Sequence, residues 1–301
     1  MKDKLKIHFI GIGGSSMNGL ALIMKNKGHE VSGSDVAESP YTRYLESKGI
    51  KVIIGQSREN ITDPDLVIHT AAISNTNAEL MEAKRKNIET MDRASFLGKL
   101  TKEYKTAIGV AGCHGKTTIT SMIGLIAIDS GVNPTVHIGA SVPFFDGGGT
   151  HIGNGNVFIV EACEYENSYH QFSLSTAVIN NIDNDHLNFF GNIDNIVKSF
   201  EAFALKLPPN GLLVANADDD RVMEIADKVC CNVASYGLSN KGQWQARNIV
   251  HHNIGATEFD VYKDGEKLSK CRLNIAGKHN IQNALAAIIV CDSLGIAPKE
   301  S

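Results

Sequence analysis

The chain has 301 residues, of which 43% are hydrophobic and 21% charged, and its formal net charge is −4 at pH 7. This length predicts two domains of about 100 to 200 residues each, and the composition is typical of a folded, water-soluble protein rather than a disordered, collagen-like or membrane chain. The small negative charge excludes a whole-chain basic field that would gather nucleic acid or anionic lipid.

Two further features bear on where the protein works. No apolar run approaches the roughly 18 residues of a membrane span, and the N-terminus lacks the apolar region and cleavage site of a signal peptide. The six cysteines include no Cys-x-x-Cys pair, so we expect reduced thiols rather than disulfides or zinc ligands. We therefore expect a cytoplasmic protein without nucleic-acid or membrane partners.

The first hundred residues alternate between strand-like and helix-like segments. Residues 6–10 are predicted to form a strand that enters a glycine turn at 11–14, followed by a helix that Gly28 ends. Further strands are predicted at 30–33, 51–54 and 66–69, and helices at about 40–48 and 78–86. This alternation predicts a Rossmann-like α/β domain with a parallel sheet at residues 1–104.

A polar, charge-rich stretch at 99–105 is predicted to link this domain to a second one at residues 105–301. The second domain is predicted to begin with a strand at 106–111, a phosphate loop at 112–118 and a helix at 119–128. Later segments are strands at 157–161, 177–182 and 212–216, helices at about 193–205 and 280–294, and a final linker at 295–301. We expect a P-loop-type α/β domain that binds a nucleotide.

The strongest motif is a glycine-rich run between the strand and helix that open the second domain. Glycines let backbone N–H groups approach phosphates, a lysine reaches the outer phosphates, and a threonine hydroxyl can hold magnesium. The run departs from the strict Walker A pattern, which has glycine where this chain has Val110. The alternative is a turn that carries these residues by chance. The predicted nucleotide-binding residues are Gly112, Cys113, His114, Gly115, Lys116, Thr117 and Thr118.

The first glycine turn is a less specific signal. Gly11, Gly13 and Ser16 depart from the dinucleotide fingerprint at its third glycine, although Asp35 lies about 20 residues on, where such sites place an acid for ribose. The turn therefore suits NAD, a nucleotide sugar, or no ligand at all. An NAD-dependent dehydrogenase would leave Lys116 and its loop without a role.

Acidic residues and a histidine follow two predicted strands of the second domain. Glu161 ends one strand and His186 follows another, at the strand ends where parallel sheets bind ligands. Magnesium ions that bridge phosphates prefer a few hard oxygen ligands, with an occasional imidazole. Asp183, Asp185 and Glu164 are weaker candidates of the same kind, and solvated loop residues are the alternative interpretation.

The last predicted helix opens with two asparagines. Asn280 and Asn283 lie three residues apart on nearly one helix face, and two carboxamides there can hydrogen-bond to a purine edge. Helix capping by Asn280 is an equal alternative.

Taken together, these segments resemble the Mur ligase family over essentially the whole chain, and most closely its members that join L-alanine to UDP-N-acetylmuramate. The matching motifs are 9–14 (Phe-Ile-Gly-Ile-Gly-Gly), 32–35 (Ser-Gly-Ser-Asp), 69–74 (His-Thr-Ala-Ala-Ile-Ser), 93–97 (Arg-Ala-Ser-Phe-Leu), 112–118, 161–165 (Glu-Ala-Cys-Glu-Tyr), 181–186 (Asn-Ile-Asp-Asn-Asp-His) and 279–284 (His-Asn-Ile-Gln-Asn-Ala).

The resemblance implies a role for each matched residue. In the first domain the UDP part of the sugar nucleotide would be held by Gly11, Ile12, Gly13, Gly14, Ser15, Asp35, Thr70, Ser74 and Arg93. In the second domain, Lys116 would contact the outer phosphates of ATP. Thr117 and Glu161 would hold one magnesium ion and His186 a second, and adenine would be held by His279, Asn280 and Asn283. Lys116, Glu161 and His186 would be the catalytic residues.

By the same resemblance, the muramate carboxylate attacks the γ-phosphate of ATP, and the amine of L-alanine then opens the acyl phosphate to an amide. Departures from the family pattern are Cys113 in place of threonine, Ser16 in place of glycine, and Asn188 in place of aspartate. Cys113 is expected to leave the loop open to thiol reagents. Family members continue into a third domain, so we expect these 301 residues to bind nucleotides but turn over poorly. A ligase that attaches a preformed peptide, and a non-catalytic nucleotide-binding module, are the alternatives.

Overall fold

The computed structural model of the chain describes residues 4–145, 148–239, 241–252 and 255–298, so residues 299–301 of the expected final linker lie outside the described part. The chain forms two compact units. One comprises Met1–Leu100 and His137–Ile152, and the other comprises Thr101–Val136 and Gly153–Ser301.

The first unit contains five strands and four helices in its leading segment. They are β1 (Lys6–Ile10), α1 (Ser15–Asn26), β2 (Glu30–Asp35), α2 (Pro40–Ser47), β3 (Lys51–Ile54), β4 (Leu66–His69), α3 (Ala78–Arg85), β5 (Glu89–Asp92) and α4 (Arg93–Thr101). The strands form one sheet in the order β3-β2-β1-β4-β5, and every pair in it is parallel. The central strand β1 is apolar along most of its length because both faces of a parallel sheet are covered.

Parallel pairing brings the strand ends of the first unit to one edge. In the register of the sheet, Ile10 lies beside Ser34 on one side and His69 on the other. The glycine turn after β1, Asp35 at the end of β2 and Thr70 after β4 therefore leave the same edge, where open parallel sheets bind ligands.

The remaining elements follow α4 along the chain and include those of the segment His137–Ile152 of the first unit. They are β6 (Thr106–Ala111), α5 (Lys116–Asp129), β7 (Thr135–His137), β8 (Thr150–His151), β9 (Val157–Glu161), β10 (Thr176–Ile179), α6 (Leu187–Phe190), α7 (Ile193–Ala204), β11 (Leu212–Asn216), α8 (Asp220–Ala226), β12 (Asn232–Gly237), β13 (Trp244–His251), β14 (Thr257–Lys263), β15 (Glu266–Leu273) and α9 (Lys278–Ser293).

The second sheet is mixed. Its strand order is β15-β14-β13-β12-β11-β10-β6-β9-β7-β8, in which β13 is parallel to β12 and β14 is antiparallel to both β13 and β15. Strand β6 lies between β9 and β10 and is parallel to both. The loops that follow these three strands therefore start at the same edge of the sheet, so that 112–115, 162–164 and 180–186 converge on one place.

The predicted fold class is confirmed: both units are α/β, and the first has a parallel sheet. Several predicted elements match the structure, among them β1, β6, β9 and β11. The linker predicted at 99–105 is wrong over its first three residues, which belong to α4. The polar character of that stretch misled the prediction, because Leu100 is 1% exposed and faces the core while Lys99 faces solvent.

Two other differences concern the second unit. Helix α5 begins at Lys116 rather than at 119, because the end of the phosphate loop forms the first turn of the helix. The strands between residues 232 and 273 were not predicted at all.

Among the described residues, no helix combines the length and apolar character that a bilayer crossing requires, and all six cysteines are free.

A buried carboxylate ties α3 to the strands of the first unit. Glu79 is fully buried, and it accepts hydrogen bonds from Ser34 Oγ at 2.5 Å and from Asn60 Nδ2. His8 Nε2 lies 4.0 Å from its Oε2 atom. Burial raises the pKa of Glu79, but the neighbouring His8 imidazole and the hydrogen bonds from Ser34 and Asn60 outweigh it, so that the net pKa is lowered. The charged form of Glu79 is therefore the form that the fold stabilises.

This network predicts an acid-dependent loss of stability. Because the folded pKa of Glu79 is lowered, its contribution is present above the unfolded pKa near 4.5 and is lost as the pH falls through the folded pKa. We expect Glu79→Gln to lower the free energy of unfolding by about 1–3 kcal/mol at pH 7, and to make it less sensitive to acid between pH 5 and pH 3. Urea denaturation at several pH values measures both. Equal acid dependence in Glu79→Gln and in the exposed control Glu46→Gln contradicts this assignment.

Candidate functional site

The phosphate loop of the second unit depends on two glycines in left-handed backbone conformations. Strand β6 ends at Ala111, and Gly112 follows with φ of +139°. Gly115 has φ of +88° and precedes the first residue of α5. A Cβ atom on Gly115 would lie 2.6 Å from both Asn180 Nδ2 and Asn283 Oδ1. Only glycine combines this backbone angle with so close an approach.

Two asparagines from the β10 edge hold the outside of the loop. Asn181 Oδ1 accepts from the His114 N–H at 2.8 Å, and Asn181 Nδ2 donates to the His114 carbonyl at 3.0 Å. Asn180 Nδ2 donates to the same carbonyl and to Asn283 Oδ1, while Asn180 Oδ1 accepts from the buried Tyr236 hydroxyl at 2.7 Å. Hydrogen bonds from these asparagines thus hold the phosphate loop in place.

Lys116, the first residue of α5, points back across the loop. Its ammonium donates to the Gly112 carbonyl at 2.7 Å and lies 2.9 Å from Glu164 Oε2. Glu164 is only 1% exposed and Lys116 only 13%. The loop therefore presents a cation whose charge is balanced by a buried carboxylate directly beneath it.

Thr117 and Glu161 form the second contact between α5 and the sheet. Thr117 Oγ1 donates to Glu161 Oε2 at 3.2 Å, and Glu161 is the last residue of β9. Thr118 follows in the first turn of α5. A hydroxyl and a carboxylate this close, beside a phosphate loop, are the hard oxygen ligands that magnesium prefers.

A second set of ligand atoms surrounds His186. Glu164, Asp185 and His186 each offer one atom, and these atoms lie within 4.8 Å of one another. His186 Nε2 is 3.7 Å from Glu164 Oε1 and 3.8 Å from Asp185 Oδ2. The imidazole also lies against the Tyr165 ring, with centroids 5.0 Å apart. The resemblance assigned His186 to a second magnesium without naming its other ligands, and the structure gives it Glu164 and Asp185 as neighbours.

The asparagines of α9 face the loop network. Asn283 is 2% exposed, and its Nδ2 donates to Asn280 Oδ1 at 3.4 Å. Asn280 Nδ2 donates to the Ala276 carbonyl. The cap residue of α9 is Gly277, without a side-chain cap, so the capping alternative for Asn280 is wrong. His279 is exposed one position before Asn280.

A cavity of about 590 Å³ opens beside the loop within the second unit. That volume is within the range of small-molecule pockets, about 300–1,000 Å³. Half of the residues that line it are aspartates, which suit the hydroxyl and amine groups of a nucleoside better than phosphates. The described residues that line it are His114, Asn181, Ile182, Asp183, Asp218, Asp219, Asp220 and Arg221. Asn280 and Asn283 are not in this set.

The expectation that Cys113 leaves the loop open to thiol reagents is wrong. Its side chain is 6% exposed, and its Sγ accepts from the Asp183 N–H at 3.2 Å. Burial raises the pKa of the thiol to about 11, with the hydrogen bond to Asp183 opposing that shift. The thiolate, which is the reactive form, is therefore scarce at neutral pH.

In the first unit, the glycine turn is closed by its own neighbours. The N–H groups of Gly11 and Ile12 donate to the Ser34 carbonyl, and the Gly13 N–H donates to Asp35 Oδ2 at 2.8 Å. A Cβ on Gly11 would lie 2.6 Å from Thr70 Cγ2. Asp35, predicted from its spacing as a ribose ligand, thus uses one oxygen to shape the turn.

The other residues predicted for this site are distributed around the same edge. The Ile12 side chain is fully buried, so Ile12 shapes the turn from within. Gly14 caps α1, and Ser15 is the exposed first residue of that helix. Ser74 bonds to Thr76 in the loop after β4. Arg93 begins α4, close enough to His137 for its charge to act on that imidazole.

Fold and site together define an α/β protein with a P-loop-type phosphate loop. Two family models match the chain, the Mur ligase family catalytic domain over residues 6–105 and the Mur ligase middle domain over residues 110–291. The chain belongs to the Mur ligase family.

Among individual relatives, the chain is 48% identical over 289 residues to a UDP-N-acetylmuramate–L-alanine ligase of Clostridium beijerinckii, and 47% identical over 290 residues to that of Acetivibrio thermocellus. In both cases the match covers 96% of this chain and 62% of the relative, so the chain spans less than two thirds of their length.

Two solved structures are similar over 98% of this chain. The UDP-N-acetylmuramate-alanine ligase of Thermotoga maritima has a TM-score of 0.84 at 32% identity, with 66% of that chain covered. The UDP-N-acetylmuramate:L-alanyl-gamma-D-glutamyl-meso-diaminopimelate ligase from Neisseria meningitides has a TM-score of 0.88 at 27% identity, with 95% covered.

From the sequence, Glu164 and Asp185 were weaker candidates than Glu161. Asn180, Tyr236 and His137 were not among the candidates. The signal for Glu164 was present, since it lies three residues after a strand-ending glutamate. No local pattern could have found Tyr236 or His137, because each acts across a long sequence separation.

The buried ion pair under the loop yields a stability prediction. Lys116→Met leaves the Glu164 carboxylate buried without its cation, so we expect the free energy of unfolding to fall by about 3 kcal/mol. The double variant Lys116→Met/Glu164→Gln should recover part of that loss. The matched control is Lys228→Met, which breaks the exposed pair with Glu201 and should cost no more than about 1 kcal/mol. Equal losses in the two single variants, measured by urea denaturation, contradict the assignment.

The burial of Cys113 yields a reactivity prediction. At pH 7.5 an aromatic disulfide reagent should modify the exposed Cys230 quickly and Cys113 slowly, because the Cys113 thiol stays protonated until the pH approaches about 11. Peptide mapping by mass spectrometry after timed quenching measures each site. Modification of Cys113 at the rate of Cys230 in the folded protein would refute its burial.

Proposed function

We propose that this chain carries the nucleotide sites of an ATP-dependent ligase that joins the lactyl carboxylate of UDP-N-acetylmuramate to L-alanine in peptidoglycan synthesis. Support comes from relatives named UDP-N-acetylmuramate–L-alanine ligases, at 44–48% identity. The observation that carries the proposal is the phosphate loop with Lys116 above Glu164 and Thr117 beside Glu161.

We divide the two nucleotides between the two parts of the chain, with the UDP moiety at residues 1–104 and ATP at residues 105–301. The first part offers a glycine turn that opens a helix, which favours a diphosphate. Arg93 adds a cation to that unit. The second part offers the phosphate loop, and the neighbouring acidic cavity has the size of a nucleoside site. Asn280, Asn283 and His279 remain our candidates for contacts with the edge of adenine. Adenine would bind the amides of Asn280 and Asn283 only after the hydrogen-bond network around Asn283 rearranges.

The donor groups at this edge fit magnesium, because they combine carboxylates, a hydroxyl and one imidazole. Thr117 and Glu161 would hold one ion, and Glu164, Asp185 and His186 form a set for a second. Bound there, the metal would neutralise charge on the transferring phosphoryl group.

The residues of the phosphate loop and its neighbours then have distinct roles in the reaction. Both the carboxylate substrate and ATP are anions, so the Lys116 ammonium offsets their repulsion when it turns from Glu164 towards the outer phosphates. Backbone N–H groups of the loop and the N-terminus of α5 bind the remaining phosphate charge. With both substrates held in line, the carboxylate attacks the γ-phosphate and ADP leaves; the amine of L-alanine then attacks the acyl phosphate, inorganic phosphate leaves and the nitrogen loses a proton as the amide forms.

A ligase that adds a preformed peptide to the same sugar nucleotide is the second candidate. Its support is the structural similarity to the Neisseria enzyme, whose TM-score of 0.88 slightly exceeds that of the alanine ligase structure. Sequence identity favours the alanine ligase, with 32% against 27%.

Because the proposed reaction consumes ATP, we assign it to the cytoplasm.

Calorimetric titration with UDP-N-acetylmuramate and, separately, with magnesium ATP tests the proposal on the 301-residue chain. We expect both ligands to bind, and Lys116→Met to weaken ATP binding roughly 10-fold to 100-fold, since a charge-assisted contact is lost. The sugar nucleotide should bind this variant as it binds the unchanged chain, and Lys228→Met should change neither affinity. Circular dichroism confirms that each variant is folded.

If NADH binds the chain and UDP-N-acetylmuramate does not, the first unit is not a sugar-nucleotide site. If ATP binding is the same in Lys116→Met, the phosphate loop is not the ATP site.

A further inference from the structure

A histidine that no part of the proposed mechanism uses lies against the first turn of α1. His137 Nε2 is 2.9 Å from Ser16 Oγ, and His137 Nδ1 is 3.2 Å from Thr150 Oγ1. All three residues belong to the first unit, and His137 and Thr150 are only 2% and 3% exposed. The three side chains form one continuous chain of hydrogen bonds that ends at Ser16.

Helix α1 is shaped to receive this chain. Gly19 lies one turn after Ser16, on the same helix face. A Cβ atom on Gly19 would lie 2.0 Å from Thr150 Oγ1 and 2.9 Å from His137 Nδ1. The absence of a side chain at residue 19 is therefore what lets the imidazole and the threonine hydroxyl reach Ser16.

The imidazole in this chain is neutral at physiological pH. Burial is the larger cause and the positive charge of Arg93 the smaller cause that together lower the pKa of His137 to about 3. The imidazole is therefore a poor base towards Ser16, and its other nitrogen meets the Thr150 hydroxyl rather than the carboxylate of a nucleophilic triad. A role in orienting the serine remains.

The direction of the hydrogen bonds follows from where each hydroxyl can donate. A neutral imidazole donates from one nitrogen and accepts at the other. If Thr150 donates to Nδ1, then Nε2 carries the proton and donates to Ser16 Oγ. The Ser16 O–H is then free to donate outwards. Ser16 is the second residue of α1, directly after the glycine turn, where the first N–H groups of a helix have no partner within it.

We propose that Thr150, His137 and Ser16 form a directional hydrogen-bond chain that aims the Ser16 hydroxyl at a phosphate of the nucleotide diphosphate bound beside the N-terminus of α1. The proposal rests on the sugar-nucleotide site proposed above. Ser16 is the residue that contacts the ligand, and His137 and Thr150 are positioning residues that act through it. Ser16 stands where the dinucleotide fingerprint has its third glycine, a residue with no side chain to donate a hydrogen bond.

Calorimetric titration of UDP-N-acetylmuramate and of UDP tests this assignment. We expect Ser16→Ala to weaken both ligands roughly 10-fold to 100-fold, because a hydrogen bond to a charged group is lost. His137→Leu should weaken them to a similar extent, and Thr150→Val to a smaller one. His137→Gln, which can still donate an N–H to Ser16, should restore most of the affinity. Magnesium ATP should bind every variant as it binds the unchanged chain, and Ser47→Ala is the matched serine control.

A double-mutant comparison separates positioning from packing. If His137 acts through Ser16, then His137→Leu and Thr150→Val cause no further loss of affinity in a Ser16→Ala background. Thermal unfolding is recorded for each variant, and Ser16→Ala and Thr150→Val keep the test decisive if His137→Leu does not fold.

The outcomes are distinct for the two proposals. If UDP-N-acetylmuramate does not bind the unchanged chain, the proposed sugar-nucleotide site fails and this inference fails with it. If it binds, and Ser16→Ala binds equally well, only the inference is overturned. It is also overturned if the losses in the double variants are additive, since His137 then merely packs α1 against the segment 137–152.

Discussion

The candidate site of the second unit depends on the close approach of a glycine to two buried amides. Gly115 lies so near Asn180 and Asn283 that a Cβ atom would collide with both. Because β6 and β10 are adjacent and parallel, the loop after one strand meets the loop after the other, and α9 closes the third side. The phosphate loop is therefore held in its shape before any ligand arrives, which lowers the entropic cost of binding.

The charged side chains beside the phosphate loop balance one another. Lys116 and Glu164 neutralise each other in a largely buried position, where an unpaired charge would be costly. A phosphate that enters the loop competes with Glu164 for the lysine, and a cation at Glu164, Asp185 and His186 would relieve the carboxylate released by that exchange. The same residues that stabilise the free protein thus supply the groups that a bound nucleotide would need.

The first unit uses a different solution at its own strand edge. Asp35 accepts from the Gly13 N–H, so the carboxylate shapes the turn as well as lying where a ribose ligand is expected. The imidazole of His137 reaches the other side of the turn from the segment 137–152. Both units place polar groups at the carboxyl ends of parallel strands, but one relies on an ion pair, whereas the other relies on a carboxylate that accepts from a backbone N–H and on an uncharged imidazole.

The sequence by itself determined the α/β class, most of the early strands, the phosphate loop and the family, because these depend on local patterns: apolar runs of strand length, glycines at turns and motifs in a fixed order. It did not determine the strands between 232 and 273, or that Leu100 belongs to a helix core rather than to a linker. Only the tertiary structure decided that His186 lies with Glu164 and Asp185, that Cys113 is buried, and that His137 meets Ser16 across 121 residues. Such contacts arise from strand order and helix packing, and the residues that take part carry no mark of them in their local sequence.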